Sequence, residues 1–480
     1  MLAVASFALY LLTLAPTFYT NDSAEFSAVA YKLGISHPPG YPIYVLLGRL
    51  FTLIPVGDVG YRMNLMSAVF AALAVALLYA TAREWGVGLA GGATAALSLA
   101  FSFFFWSAAV VAEVYTFQAF LLSLLLYLLA AWDQRHLPWA LPMLGLVLGL
   151  SLAHHVSTLL LLPGLVLLAF TSASGHIARP KTWLTGCLLV IPGLLSYLYL
   201  PLRSRVGATP NFNSWYDAEG IRHTVDLATW DGFWEVVSGR SFAHLVFAYA
   251  PGQAVEEAVQ ALTRFWGNFL GIGVVVGVVG AAYLFTRDRG KASGLAIAML
   301  SYAFFFVNYG AADKESMFLP VYTLWTLYMA YGYDLLFRWA GEAWHGMPGC
   351  GTLGASVGVA GAVVLSALLI AVNMPYVNIS HDDAVRTRAQ SLFDTLPPNA
   401  VVVGGWGSVI GMIYLQEVEG QRSDVKVMVV DHLSGSRPEM LEFLETRVGT
   451  EPIFSMQYDQ QFAAKFRLVP FSHGYELMRR

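Results

Sequence analysis

Charged residues are scarce in this chain, and their shortage is the first constraint on its class. Only 12% of the residues are Asp, Glu, Lys or Arg, whereas 57% are hydrophobic. A soluble domain carries about 25% charged residues, so a soluble globular enzyme is excluded. The formal net charge of −4 is also too small to indicate nucleic acid as a partner. We therefore predict a polytopic membrane protein that lies in a lipid bilayer.

The sequence also has few cysteines and lacks the pattern of a secretory signal peptide. The two cysteines, Cys187 and Cys350, are too few for a disulfide framework, and we expect both to be free. Residues 1–15 carry no basic segment before their apolar run, so we predict a first membrane helix there and no cleaved signal peptide. The sequence also lacks a Walker motif, a zinc helix motif and a nucleophile elbow, which excludes several common enzyme classes.

Long apolar runs fill most of the chain up to about residue 375. A bilayer core of about 30 Å needs roughly 20 apolar residues per helix. The run from Trp139 to Phe170 is too long for one helix, and His154 with His155 marks a break within it. With that break we predict eleven spans, over 1–15, 64–84, 88–107, 114–131, 139–154, 156–171, 183–200, 267–286, 294–310, 317–337 and 353–373.

Lysine and arginine in the short loops predict the orientation, because cytoplasmic loops are enriched in both. With the N-terminus in the cytoplasm, every short loop on that side is basic. The residues concerned are Arg83, Arg135, Arg179, Lys181, Arg287, Arg289, Lys291 and Arg338. Without the break at 154/155, the loop with Arg287 would fall outside. Two long loops, 16–63 and 201–264, and the C-terminal tail are then extracytoplasmic.

The tail has the pattern of a small α/β domain. Its predicted elements are a helix over 383–396, a strand over 400–403, a helix over 409–418 and a strand over 425–430. This strand–helix–strand order is typical of a βαβ unit. The glycine-rich turn 404–407 lacks the spacing of a dinucleotide fingerprint. The predicted fold is thus an all-α polytopic membrane domain, 1–375, followed by a small extracytoplasmic α/β domain, 376–480.

The first outer loop holds the densest group of residues suited to catalysis. Asp22 and Glu25 lie three apart, so a helix would place both carboxylates on one face. The alternative is that Asp22 only caps that helix. His37 and Tyr41 follow within His-Pro-Pro-Gly-Tyr-Pro, where proline fixes the backbone and glycine admits close approach of a ligand. A rigid loop after a carboxylate pair favours a functional site over a plain connection.

Further polar residues fall on the same predicted membrane face. Glu113, two residues before Tyr115, is an acid within an apolar stretch, which indicates either a functional residue or an interfacial anchor. His154 and His155 are too few for a zinc site. Arg203 follows the seventh span, where an arginine either reaches lipid head groups or clamps a phosphate. Together these residues suit an enzyme that acts on a lipid phosphate.

Several stretches resemble one multi-pass family. They are Asp22-Ser23-Ala24-Glu25, Leu33-Gly34-Ile35, His37-Pro38-Pro39-Gly40-Tyr41-Pro42, Tyr61-Arg62-Met63-Asn64-Leu65, Ala112-Glu113-Val114-Tyr115, Leu200-Pro201-Leu202-Arg203-Ser204 and Tyr414-Leu415-Gln416-Glu417-Val418-Glu419-Gly420. The family includes bacterial membrane proteins of unknown function and the animal transmembrane O-mannosyltransferase. One departure is Gly405-Trp406-Gly407-Ser408, where bacterial relatives often carry a Gly-Asp-Asn-Asp-Thr type turn.

This resemblance implies an inverting GT-C glycosyltransferase of the bacterial inner membrane. Such an enzyme moves a sugar, here mannose, from a polyprenyl phosphate to a hydroxyl of a protein or glycan on the outer face. The residues implied are Asp22 and Glu25 for catalysis, with Asp22 as base; His37, Tyr41, Arg203, His154 and His155 for the donor phosphate; and Glu113 and Tyr115 for the acceptor or in support. No metal ligand is assigned, although the carboxylate pair leaves a divalent cation, Mg or Mn, open.

Two interpretations without transfer activity stay open. A lipid flippase or solute transporter would place polar residues near the midplane, often in repeated halves, and the sequence shows neither pattern. A scaffold or receptor would instead use its outer tail to bind a partner.

Overall fold

The computed structural model describes residues 1–172, 180–311, 314–344, 353–430 and 437–480, so Arg179 and Cys350 lie outside the described residues. The helices up to residue 268 are α1 (Leu2–Thr13), α2 (Asp22–Lys32), α3 (Pro42–Thr52), α4 (Val59–Glu84), α5 (Leu89–Ala100), α6 (Phe103–Ala109), α7 (Val114–Arg135), α8 (Ala140–His154), α9 (Leu162–Ser172), α10 (Pro180–Leu194), α11 (Tyr199–Arg205), α12 (Trp230–Val237) and α13 (Pro251–Asn268). The helices that follow are α14 (Ile272–Arg287), α15 (Arg289–Val307), α16 (Leu319–Trp344), α17 (Leu353–Val377), α18 (Ala384–Thr395), α19 (Trp406–Glu419), α20 (Arg437–Arg447) and α21 (Gln460–Lys465). Short 3-10 helices span Val156–Leu161, Leu195–Leu198, Arg240–Leu245 and Ser316–Phe318. The strands are β1 (Ser214–Tyr216), β2 (Arg222–Thr224), β3 (Val401–Gly404), β4 (Lys426–Val429), β5 (Ile453–Ser455), β6 (Arg467–Phe471) and β7 (Gly474–Met478).

Apolar helices make this chain a multi-pass membrane protein. Within the described ranges, five helices are long and apolar enough to cross a membrane, and two bent pairs raise the number to seven. The bent pairs are α5 with α6, at 65°, and α13 with α14, at 99°. Each of the eleven predicted spans contains a helix, but the number that cross the bilayer and their orientation stay predictions.

The long apolar run divides at the position that the sequence predicted. Helix α8 ends at His154, and His155 has an extended backbone. The 3-10 helix Val156–Leu161 follows and leads into α9. The side chain of His155 accepts the backbone N–H of Ser157 and so caps the start of this 3-10 helix. The prediction of two helices within this run is confirmed.

The C-terminal residues build a five-stranded sheet of order β4-β3-β5-β7-β6. Strand β3 pairs in parallel with β4 and β5, and α19 connects β3 to β4, which confirms the predicted βαβ unit. The sequence analysis did not predict the antiparallel strands β6 and β7. Pro470 interrupts the apolar pattern of β6, and a strand with proline is confined to a sheet edge, where β6 lies.

Helix α2 joins this C-terminal unit to the helical bundle. Phe26 and Ala30 of α2 pack into the core of the bundle, whereas Ala24 and Ala28 pack into the core that contains α19. The helix is therefore buried on two sides, and it holds the membrane helices and the sheet in one fixed arrangement. The domain boundary at residue 375 stays a prediction.

Polar contacts reinforce the packing of the C-terminal unit. The hydroxyl of Tyr414 accepts the backbone N–H of Gly60 at 3.2 Å. Arg386 pairs with Asp58 at 3.1 Å, and Asp58 in turn accepts the N–H of Tyr61 as the N-cap of α4. These contacts hold the start of α4 against the sheet unit.

We predict that Gly60→Ala lowers the stability of the folded protein. A Cβ atom at position 60 would lie 2.1 Å from the backbone nitrogen of Phe18, and backbone cannot move away as a side chain can. Overpacking of this kind costs about 1–3 kcal/mol. Thermal unfolding in detergent should show a lower midpoint. Gly267→Ala is the control because nothing lies within 4 Å of its Cβ position, and an equal midpoint in both variants would contradict the prediction.

Candidate active site

Helix α2 presents its two acidic residues on one face. It begins at Asp22, while Asn21 occupies the N-cap position. The alternative that Asp22 is only the cap is therefore wrong. Asp22 and Glu25 both face His37, with His37 Nε2 lying 3.8 Å from Asp22 Oδ2 and His37 Nδ1 lying 2.6 Å from Glu25 Oε2. The predicted shared face is confirmed.

Glu25 is fully buried and both of its oxygens are occupied. Oε1 accepts the Ser36 hydroxyl at 2.6 Å and the His37 backbone N–H at 2.7 Å, while Oε2 bonds to the His37 ring. The carboxylate thus holds the imidazole in place. A direct role of Glu25 in catalysis stays a prediction.

The imidazole of His37 lies between two carboxylates. Burial lowers the pKa of His37, but Glu25, Asp22 and Glu113 together outweigh burial and raise this pKa to about 9. His37 is therefore a cation at neutral pH. The Asp22 side chain keeps 26% exposure, against none for Glu25, so Asp22 is the carboxylate of the pair that an acceptor can reach.

The rigid segment 37–42 folds closely against its surroundings. Gly40 has φ +89°, and a Cβ there would lie 2.8 Å from the Leu200 side chain, so the position requires glycine. Tyr41 precedes α3 with its ring edge-on to Phe26 at 5.4 Å and to His37 at 5.3 Å. Burial first, and then the nearby carboxylates, raise the pKa of Tyr41, so its hydroxyl stays protonated beside the imidazolium.

The two histidines of the helix break have different surroundings. The ring of His155 lies 5.9 Å from that of Tyr41, and its Nδ1 accepts the Ser157 N–H, so the proton of the neutral ring is on Nε2. His154 is fully buried, and its Nε2–H donates to the first carbonyl of α7 at 3.0 Å. The role of His154 in binding the donor phosphate stays a prediction.

Glu113 and Tyr115 lie at the start of α7, beside the cluster that Asp22, Glu25 and His37 form. Glu113 is the N-cap residue of α7, and its charge contributes to the raised pKa of His37. Tyr115 contacts the ring of His155 at 6.2 Å. The structure thus brings both residues to the margin of the Asp22–His37 cluster.

Arg203 lies at the opposite end of α2. Its Nε–H donates to the carbonyl of Leu33 at 2.7 Å, just after the last residue of the helix. The rise of 1.5 Å per residue places this end about 15 Å from Asp22 along the axis. This hydrogen bond satisfies a carbonyl at the end of α2, and the role of Arg203 in binding the donor phosphate stays a prediction.

One contact of Asp22 comes from far along the chain. The indole N–H of Trp406 donates to Asp22 Oδ1 at 2.9 Å, across 384 positions of sequence, and the indole lies 6.0 Å from the His37 ring. In the sequence, the turn around Trp406 is glycine-rich and departs from the family pattern. Neither feature indicates a contact with the first loop, because a local sequence pattern cannot predict a contact between residues so far apart in the chain.

Asp22, Glu25 and His37 are also the residues that could hold a metal ion. One ligand atom of each lies within 4.8 Å of the others. The Nδ1 atom of His37 is already bonded to Glu25, so a cation ligated by that atom would have to replace the proton between them. The same three side chains therefore serve either as a hydrogen-bonded ion pair or as a cation site.

The first third of the chain matches a known protein family. Residues 22–177, which include the carboxylate pair and the histidine break, match the family model described as Protein O-mannosyl-transferase TMEM260 N-terminal domain. The resemblance to this family is confirmed. Protein O-mannosyl-transferase TMEM260 of Mus musculus is 32% identical over 203 residues, which are 41% of this chain and 29% of that protein. The protein of the same name in Dictyostelium discoideum is 24% identical over 245 residues, 46% of this chain and 29% of that protein.

Two solved structures share the architecture of the chain. ArnT from Cupriavidus metallidurans in the apo state has a TM-score of 0.57 at 12% identity, covering 99% of this chain and 96% of that one. The oligosaccharyltransferase AglB from Archaeoglobus fulgidus has a TM-score of 0.51 at 13% identity, covering 88% and 64%. At these identities the likeness shows the fold alone, which is the GT-C-like helical fold with a small C-terminal sheet. The TMEM260 relatives extend well beyond the matched part, since the chain spans 29% of their length.

We predict that Glu25→Gln returns the pKa of His37 from about 9 toward its ordinary value of 6.5. The amide removes the charge that stabilises the imidazolium. Its NH₂ group is also a hydrogen-bond donor, so it cannot accept the N–H of the imidazole ring. Histidine-selective NMR titration of the labelled protein measures the change directly.

Asp217→Asn is the matched control for this titration. Asp217 pairs with His223 on the hairpin at 2.6 Å, outside the cluster, so its loss should leave the titration of His37 unchanged. A His37 pKa that stays near 9 in Glu25→Gln would show that the ion pair is not its cause.

Proposed function

We propose that this chain is an inverting glycosyltransferase. It moves a sugar, in our proposal mannose, from a polyprenyl-phosphate donor to a hydroxyl of a protein serine or threonine, or of a glycan, at the outer membrane face. The observation that carries the proposal is the Asp22–His37–Glu25 cluster at the start of α2. Support comes from the two relatives named protein O-mannosyl-transferase and from AglB, which was solved with an inhibitory peptide and a dolichol-phosphate.

Asp22 is the base in this mechanism. Its partly exposed carboxylate takes the proton of the acceptor hydroxyl while the acceptor oxygen bonds to the anomeric carbon. The bond from that carbon to the phosphate oxygen breaks in the same step, so the configuration inverts. A polyprenyl phosphate leaves readily as an anion, and one carboxylate therefore suffices, whereas glycoside hydrolysis uses two.

His37 supplies the positive charge for the leaving phosphate. Its raised pKa keeps the ring protonated at neutral pH, and Glu25 fixes the ring before substrate arrives. The Nε2–H of His155 and the hydroxyl of Tyr41 are further donors near that ring. Donors that are oriented in advance stabilise developing charge without reorganisation during the reaction.

We predict that Asp22→Asn reduces transfer about 10²–10⁴-fold, the usual contribution of a well-placed base. The substitution keeps the shape of the side chain and one oxygen for the Trp406 indole, so the fold should persist. Transfer of radiolabelled mannose from polyprenyl-phosphate-mannose by purified protein measures the effect.

Asp231→Asn serves as the control because Asp231 is 93% exposed and lies outside the cluster. Undiminished transfer by a folded Asp22→Asn protein would contradict the role of Asp22. Absence of transfer by the wild type, across several polyprenyl-phosphate sugars and acceptors, would contradict the reaction class and favour the flippase or transporter interpretation.

A further inference from the structure

We propose that Trp406, in the C-terminal unit, is a positioning residue for the base Asp22. The proposal rests on the proposed function, since it concerns the same carboxylate. It assigns to the C-terminal unit a part in catalysis, in addition to any contact that it makes with an acceptor.

The contact between the two side chains is short and sheltered. The indole N–H of Trp406 lies 2.9 Å from Asp22 Oδ1, and Trp406 is only 8% exposed. The indole also makes edge contacts with two further rings, that of Phe212 at 5.3 Å and that of His37 at 6.0 Å. These contacts restrict the direction of its N–H.

This hydrogen bond divides the two oxygens of Asp22 between different partners. Oδ1 accepts the indole N–H, while Oδ2 faces His37 Nε2 at 3.8 Å. A carboxylate has about four acceptor sites, and the indole N–H occupies one of them on Oδ1 and so restricts the orientation of the group.

The position of the indole is set by packing of the whole unit. Trp406 is the first residue of α19, and α19 packs along α2. The first turn of α19 approaches the start of α2 so closely that a Cβ at Gly407 would lie 3.2 Å from Asn21 Oδ1. Further along α19, the ring of Tyr414 lies 4.2 Å from that of Phe18, which leads into α2. Rigid elements on both sides thus define the geometry of the hydrogen bond.

One substitution separates a structural role of Trp406, which needs its ring, from a positioning role, which needs its N–H. Trp406→Phe keeps an aromatic ring between Phe212 and His37 but removes the N–H. We expect kcat to fall about 10- to 100-fold, as for loss of a hydrogen bond to a charged group. The KM for polyprenyl-phosphate-mannose should change little, because the lost N–H orients the base Asp22.

Trp215→Phe is the matched control, since Trp215 stacks on His223 within the hairpin of β1 and β2. An unchanged kcat in folded Trp406→Phe would overturn the proposal. So would a Trp406→Phe protein that loses activity only in proportion to lost folded protein, or one whose KM rises while its kcat is kept.

A second measurement does not depend on transfer activity. In protein labelled with 5-fluorotryptophan, the ¹⁹F resonance that Trp406→Phe removes belongs to Trp406. At one fixed pH, this resonance should differ between the wild type and Asp22→Asn by more than any other tryptophan resonance does, because Asp22 accepts the indole N–H. If it differs while the wild type transfers no sugar, the contact stands and the proposed function fails; if it does not differ, the positioning role fails whatever the activity.

Discussion

The buried carboxylate of Glu25 is the constraint on which the rest of the site depends. A charge without access to water is costly unless hydrogen bonds and a counter-ion surround it. Ser36 and His37 supply both, and to do so the segment that contains them must fold back over the start of α2. The imidazole thereby comes to rest beside Asp22, which stays the more exposed of the two acids. The position of the His37 imidazolium thus follows from the need of the buried Glu25 carboxylate for hydrogen bonds and a counter-ion.

Local patterns in the sequence predicted the features that depend on local geometry. The spacing of Asp22 and Glu25 gave the shared helix face, and the histidine pair marked the break between α8 and α9. The roles of Arg203 and Trp406 depend on which segments pack together. An arginine after a membrane span satisfies a helix terminus as well as it binds a phosphate, and the partner of an indole 384 positions away has no local signature.

Helix α2 explains how the site obtains a fixed shape. One side of the helix packs into the apolar bundle and the other into the core of the sheet unit. Its first turn, where the acids lie, is therefore clamped between two bodies that each have their own hydrophobic core. Protein interiors pack densely and resist small displacements, so side chains on that turn are held more firmly than side chains on a loop would be.

The distance in sequence between Asp22 and Trp406 also has a consequence for biosynthesis. A ribosome makes the first loop early and residue 406 only after the membrane helices, so those helices are made before the indole that bonds to Asp22 exists. Until the sheet folds and docks on α2, the hydrogen bond from the indole is missing. Assembly of the site is thereby coupled to synthesis of the C-terminal unit, and a product that ends before residue 406 retains the acid without its orientation.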